Sequence, residues 1–187
     1  IKEKDITMDE QLSFTKIQME LAKELNKPLT LHCVKAYALM LELLGEVFGK
    51  NGSHPPGIVL HSFSGPADLV PKFAKFNCYF SIGPLVCNSR KTQEALISVL
   101  KLRDKPLMLE TDSPDQFQSP TAEKNKWLQD SLDENLIQLP EVRTIGTGKE
   151  KKKLNEPAWV PFLCHAASRV VDGEMSCDEI CKLTSEN

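Results

Sequence analysis

Pro106-Leu107-Met108-Leu109-Glu110-Thr111-Asp112-Ser113-Pro114 is a short apolar run, bracketed by prolines, that stops on two acids. Unbroken apolar character over so few residues predicts a parallel strand covered on both faces, ended at Pro114. Side chains alternate along a strand, so Met108, Glu110 and Asp112 share one face while Leu107, Leu109 and Thr111 take the other. The two acids then stand at the strand's C-terminal tip. Two readings are open: a functional site, or a capped strand whose Asp112 and Ser113 side chains bond backbone amides of the next turn.

The same kind of strand recurs three times upstream, each time followed by a helical pattern. Positions 29–33 (Leu-Thr-Leu-His-Cys), 57–61 (Gly-Ile-Val-Leu-His) and 78–83 (Cys-Tyr-Phe-Ser-Ile-Gly) read as strands. Helices are expected over 37–48, closed by Gly49, from Ser64-Gly65-Pro66 to about 76, and over 92–102. Ahead of them, Leu12, Phe14, Ile17, Met19, Leu21, Ala22 and Leu25 recur at three- and four-residue spacing, so 7–25 reads as an amphipathic helix. Thr7 followed by Glu10 is a capping box at its start.

Strands and helices alternating at this spacing mean an α/β fold with a parallel sheet and right-handed crossovers. An open doubly wound sheet and part of a (β/α)8 TIM barrel compete. No Gly-rich dinucleotide fingerprint follows any strand, and candidate ligands stand at several strand tips, which favours the barrel. Residues 1–187 are read as one domain with an inserted loop over 115–154. That loop holds Trp127 and the run Lys149-Glu150-Lys151-Lys152-Lys153, read as a solvated linker in preference to a phosphate clamp. Asn155-Glu156-Pro157 starts a helix to about 171, and 176–183 is a last short helix.

The composition is that of an ordinary globular chain: 187 residues, 41% hydrophobic, 26% charged, net charge −3 and pI ≈ 5.9. That balance argues against a broad basic face, so any nucleic acid would be held at a local site with help from a metal. No hydrophobic stretch is long enough for a bilayer and no signal-peptide pattern opens the sequence. The six scattered cysteines carry no zinc-ribbon spacing, and Cys177 and Cys181, four apart, read as a packed helix face. The expectation is an intracellular, soluble protein with reduced thiols, cytoplasmic with the nucleus as a second location.

His32 closes the first strand, His61 the second, and Asp112 lies past the fourth. A single strand-end histidine is an ordinary hydrogen-bonded residue. Two of them with a carboxylate at a third tip are the donors that a divalent hydrolytic centre uses. Asp112 is the candidate catalytic residue as well, because one carboxylate can hold a metal and accept a proton from water. Glu110, on the same face, would orient a ligand histidine by accepting its other N–H. Ser64 and Gly65, at a helix start just past His61, read either as a phosphate site or as plain capping. His54, in a Pro-Gly loop, and His165, inside a late helix, are assigned to neither.

Leu31-His32, His61-Ser62-Phe63-Ser64-Gly65, Glu110-Thr111-Asp112-Ser113-Pro114 and Asn155-Glu156-Pro157, in this order, resemble the TatD family of metal-dependent deoxyribonucleases among the amidohydrolase-like barrels. The opening segment, with Gln11, Phe14, Gln18, Leu21, Ala22 and Leu25 leading to Pro28, resembles the family's stretch before its fifth strand. The resemblance implies a (β/α)8 barrel with two divalent ions, Mg²⁺ first and Zn²⁺ or Mn²⁺ as alternatives, and hydrolysis of DNA phosphodiesters by a metal-activated water. Single-stranded DNA or a DNA end is the implied substrate, with His32, His61 and Asp112 in the positions of metal ligands. The departures are the family's first-strand His-x-His pair and later Glu ligand, which nothing here matches, and Val34, where the family often has Arg. The chain therefore looks like the C-terminal half of such an enzyme, a fragment or a shortened isoform, expected to need the N-terminal half-barrel or to self-associate. Hydrolysis of a small amide or ester, and a non-catalytic remnant, are the competing readings.

Overall fold

The structure, a computed structural model, describes residues 6–49, 54–116, 139–145 and 152–187. Its first helix, α1 (Met8–Glu24), starts as the spacing predicts: Thr7 Oγ1 accepts the Glu10 amide at 3.2 Å and the Glu10 carboxylate accepts the Thr7 amide at 2.8 Å. Asn26, at φ 50, and Pro28 turn the chain out of it. There follow β1 (Leu29–His32), α2 (Tyr37–Phe48), β2 (Ile58–His61), α3 (Val70–Ala74), β3 (Cys78–Ile82), α4 (Arg90–Leu100) and β4 (Leu107–Leu109).

The segment after β2 departs from the single helix expected up to 76. A 3-10 turn, Ala67–Leu69, precedes the five-residue α3. Pro71 has no N–H to return to the Ala67 carbonyl, which accepts instead from the Val70 amide, as a 3-10 turn does, and from the Ser98 hydroxyl at 2.9 Å. A second 3-10 turn, Pro84–Cys87, follows β3, and α4 begins two residues ahead of the expected 92 because Ser89 caps it, accepting from the Thr92 amide.

The four strands are parallel and stand side by side in chain order, β1-β2-β3-β4. A doubly wound sheet reverses its order at a switch point; this one does not, so right-handed crossovers put all its helices on one face, as in a barrel wall. Register makes the sidedness explicit. Leu31, Leu60, Phe80 and Leu107 pair across the sheet and are all buried under the helices. The next row, Thr30, Val59 and Tyr79, is exposed or half-buried, and so is Met108. The expectation of a fourth strand covered on both faces is thus corrected: among the described residues only the helix face is covered. Beneath that face Phe63 packs edge-on against Tyr37, Phe73 and Phe80, with ring centroids 5.1–6.1 Å apart.

Met19 and Ala22 bury one side of α1. On another stripe Phe14, Ile17, Leu21 and Leu25 are 51–64% exposed. Downstream, β5 (Thr144–Ile145) and β6 (Lys152–Lys153) form a short antiparallel ribbon inside the expected loop. Trp127 and Lys149–Lys151 lie outside the described residues. A 3-10 turn (Pro157–Trp159) leads into α5 (Val160–Val170), and α6 (Cys177–Glu186) extends beyond the expected 183, started by a second capping box between Ser176 and Glu179. Asn187 then donates its side-chain amide to the carbonyls of Lys105 and Leu107, both at 3.0 Å, closing part of the free edge of β4. Among the described residues no helix is long and apolar enough to cross a membrane.

Candidate metal and hydrolytic site

His32 and His61 are register partners at the C-terminal ends of β1 and β2, so the pairing that builds the sheet also sets the two rings side by side. Their Nδ1 atoms are 3.2 Å apart. From the other end of the sheet, Asp112 Oδ1 comes within 3.2 Å of His61 Nε2 and Glu110 Oε2 within 3.4 Å. Ser81 on β3, at the same parity, donates its hydroxyl to Glu110 Oε2. Each of the four strands of the parallel sheet therefore sends a polar side chain to one rim.

The proton positions follow from what each group can do. Ionised carboxylates only accept, so His61 Nε2 carries the hydrogen and, in a neutral ring, His61 Nδ1 carries the lone pair. His32 Nδ1 must then be the donor across the 3.2 Å contact. His61 is oriented from its far nitrogen by acids, which is how metal-binding imidazoles are commonly held.

The donor set suits a divalent ion in kind: two imidazoles, a carboxylate and Glu110 Oε1, which is buried with no hydrogen-bond partner. Two nitrogens bound to one tetrahedral ion at 2.0–2.1 Å lie roughly 3.3–3.4 Å apart, close to the spacing of the His32 and His61 nitrogens. The pair therefore fits as part of a site. It is not a whole one: among the described residues no three His, Cys, Asp or Glu side chains converge as a metal-holding group. As they stand, Asp112 and His32 address opposite nitrogens of His61. Cys33, next to His32, offers no ready thiolate, since burial pushes its pKa up against the opposing pull of the Ala36 amide.

The two readings of the Glu110–Pro114 stretch separate here. Ser113 Oγ donates to the Asn155 carbonyl at 2.7 Å, and the Asp112 carboxylate goes to His61 and to the Gln116 side-chain amide. Among the described residues neither side chain bonds a following backbone amide, as a strand cap would. Asn155, buried, braces the turn: its Nδ2 donates to the Thr111 carbonyl and, at 2.6 Å, to the Asp115 carbonyl. Asn155 was legible only as a helix start, because its partners are 40 and 44 positions away. Ser81 could have been found by counting strand parity. Gln116 carried no signal.

Ser64 and Gly65 lie in the loop after β2, ahead of a 3-10 turn and not of a regular helix. The Ser64 hydroxyl shares a hydrogen bond with Tyr37 at 3.2 Å. Gly65 is buried, and a Cβ there would stand 2.6 Å from the Phe63 ring and 3.0 Å from Tyr37, so close packing alone accounts for a glycine. His54 sits away from the rim between the rings of Phe48 and Phe76, and His165 lies within α5.

A singly wound parallel sheet that gathers histidines and carboxylates at its strand C-termini is the arrangement of a barrel wall with a candidate site at its rim. The family model described as TatD related DNase matches residues 1–187, and the chain belongs to that family. It is 28% identical over 152 residues to a 3'-5' ssDNA/RNA exonuclease TatD of Edwardsiella piscicida, covering 81% of this chain and 47% of that one. With an uncharacterized metal-dependent hydrolase, YabD, of Bacillus subtilis (strain 168) it shares 27% identity over 172 residues, 91% of this chain and 52% of the relative. Among solved structures, an uncharacterized amidohydrolase from Saccharomyces cerevisiae superposes with a TM-score of 0.71 at 19% identity, over 96% of this chain and 58% of that one. A TatD family hydrolase from Entamoeba histolytica gives 0.68 at 16% identity, over 98% and 56%. The chain spans about half the length of the curated relatives it matches.

Proposed function

We propose that this chain forms one rim of a metal-dependent nuclease that hydrolyses phosphodiester bonds of DNA, single-stranded or at an end. The observation that carries the reading is the His32–His61 pair, 3.2 Å apart on paired strand ends, with Asp112 against His61. His32, His61 and Asp112 would hold the divalent ion, Mg²⁺ in the first instance with Zn²⁺ or Mn²⁺ as alternatives, and Asp112 is the proposed catalytic carboxylate. The bound ion supplies Lewis-acid activation of water. The chain's own part is to orient His61 through Glu110, which stays at Nε2 when Asp112 turns from that nitrogen to the ion, to brace the Asp112 turn through Asn155, and to leave the rim open to a strand of DNA. Ser64, whose hydroxyl is shared with Tyr37, and Gly65, through its backbone amide, are the proposed phosphate contacts.

The four strands are further proposed to be an arc of a (β/α)8 barrel that additional βα chain completes. Support comes from β1, which pairs only with β2 among the described residues, and from the exposed Phe14, Ile17, Leu21 and Leu25 stripe at α1. Sizing of the chain by itself tests this: association through the stripe, relieved by Phe14→Glu with Leu21→Glu, is expected. A monodisperse monomer with a cooperative melt would count against the need for cover.

The catalytic test compares nucleotide release from single-stranded DNA with turnover of small amides and esters, with added Mg²⁺ or with chelator, on a form that includes the additional chain. Asp112→Asn keeps the shape and removes basicity, so DNA hydrolysis should fall by something on the order of a hundredfold or more while the circular dichroism is kept. Release that persists in chelator, or a folded Asp112→Asn with an unchanged rate, refutes the reading. Turnover of amides in place of DNA would move the function to the rival hydrolase class.

A further inference from the structure

Gln116 joins the site through bonds that no motif announces. Its Nε2 donates one hydrogen to Ser62 Oγ, at 2.9 Å, past the end of β2, and the other to Asp112 Oδ2, past the end of β4. The residue bears two costs at once. Its backbone is left-handed, at φ 53, where glutamine has no preference, and its Oε1 is buried without a hydrogen-bond partner. What offsets them is the pair of amide bonds, one of them to a charged acceptor and so of the stronger kind.

A carboxylate held at one oxygen has the direction of the other decided. With Oδ2 fixed by Gln116, Oδ1 is turned to His61 Nε2 at 3.2 Å. Glu110 Oε2 is 3.4 Å from the same nitrogen and is itself engaged by Ser81, so Asp112 is the nearer acceptor. We propose that Gln116 is a positioning residue: it aims Asp112 at His61 and thereby sets which His61 nitrogen keeps its lone pair toward His32. Ser62, at φ 48, and Asp112, at φ 56, share the left-handed conformation of Gln116, so three turns close on this one amide. The proposal rests on Asp112 being the carboxylate of the proposed site, but it concerns the resting side chains and needs neither ion nor DNA.

The test is long-range ¹H–¹⁵N correlation of the histidine rings in the chain free of metal and DNA, at a fixed alkaline pH where imidazole is neutral. Wild type should show His61 with a protonated-type Nε2 and a lone-pair-type Nδ1. Asp112→Ala calibrates the ring without its acid and should draw the two nitrogen shifts together. Gln116→Leu, similar in size but without the amide, should reproduce at least half of that displacement, and Gln116→Glu, which sets a second carboxylate against Asp112, should exceed it. A Gln116→Leu spectrum that superimposes on wild type while its melting temperature falls makes Gln116 a structural clasp only and overturns the proposal. So does an Asp112→Ala spectrum that does not move. Should Gln116→Leu fail to fold, Ser62→Ala, which removes the other anchor, is expected to shift the same signals in the same direction, and its superposition on wild type would refute the idea equally. Loss of nuclease activity alone would speak to the function and leave these spectra as they are.

Discussion

Replacing Asn155 by alanine should loosen the turn that carries Asp112, and the size of the effect can be worked from its contacts. The side chain is buried and donates from Nδ2 to the carbonyls of Thr111 and Asp115. Thr111 is itself buried, so its carbonyl would be left without a partner, at about 1–3 kcal/mol; Asp115 is exposed and water can replace the bond, leaving a net loss of about 0.5–1.5 kcal/mol. The sum is roughly 1.5–4.5 kcal/mol, which for a chain of this size corresponds to a fall in Tm of about 3–18 °C. Thermal melts followed by circular dichroism, with urea titrations as a second measure, read it directly. Asn155→Asp sharpens the test, because it keeps the volume and sets carboxylate oxygens against two carbonyl oxygens; it should be at least as damaging as alanine. A Tm within about 1 °C of wild type for Asn155→Ala, or an Asn155→Asp protein as stable as wild type, would show that the turn is held by something else.

Gly65→Ala should cost about 1–3 kcal/mol, measured by urea titration, because its Cβ would press on the buried Phe63 ring at 2.6 Å and 2.8 Å. Burial, and then the charge of Arg169, holds the His165 imidazole below its ordinary value of 6.5. The unfolded chain therefore takes up this proton first, so the stability it contributes is full above pH 6.5 and drains as pH falls below it; Tm measured from pH 8 to 5 should drop less steeply in His165→Gln. Thiol titration should find Cys181, exposed, reacting first, while Cys78 and Cys87, buried and pushed up to about 12, stay unreactive until the fold opens; an early reaction at either buried thiol would contradict their packing.

Much of the scaffold was legible because local rules and tertiary demand agree. Thr7 with Glu10 gives the start of α1 by itself, since a capping box closes within four residues. Strand runs ending in His32 and His61 appear where expected, and 37–48 matches α2 at both ends. The helix expected after Gly65 fails for a local reason, the missing amide of Pro71. The coverage of the fourth strand fails for a distant one. An apolar run such as Leu107-Met108-Leu109 says that both faces prefer cover, and it does not say which chain supplies it.

From the sequence by itself came the alternation of strands and helices, the placing of His32, His61, Glu110 and Asp112 at strand exits, and the family they resemble, because each of these depends on neighbours a few residues apart. The tertiary structure alone decided the unreversed strand order, the nitrogen of His61 that each partner takes, the brace from Asn155 and the clasp from Gln116. Those depend on groups brought together across 29 to 54 positions of chain, where the direction of a hydrogen bond is set by how strands and turns pack, and no spacing in the sequence records it.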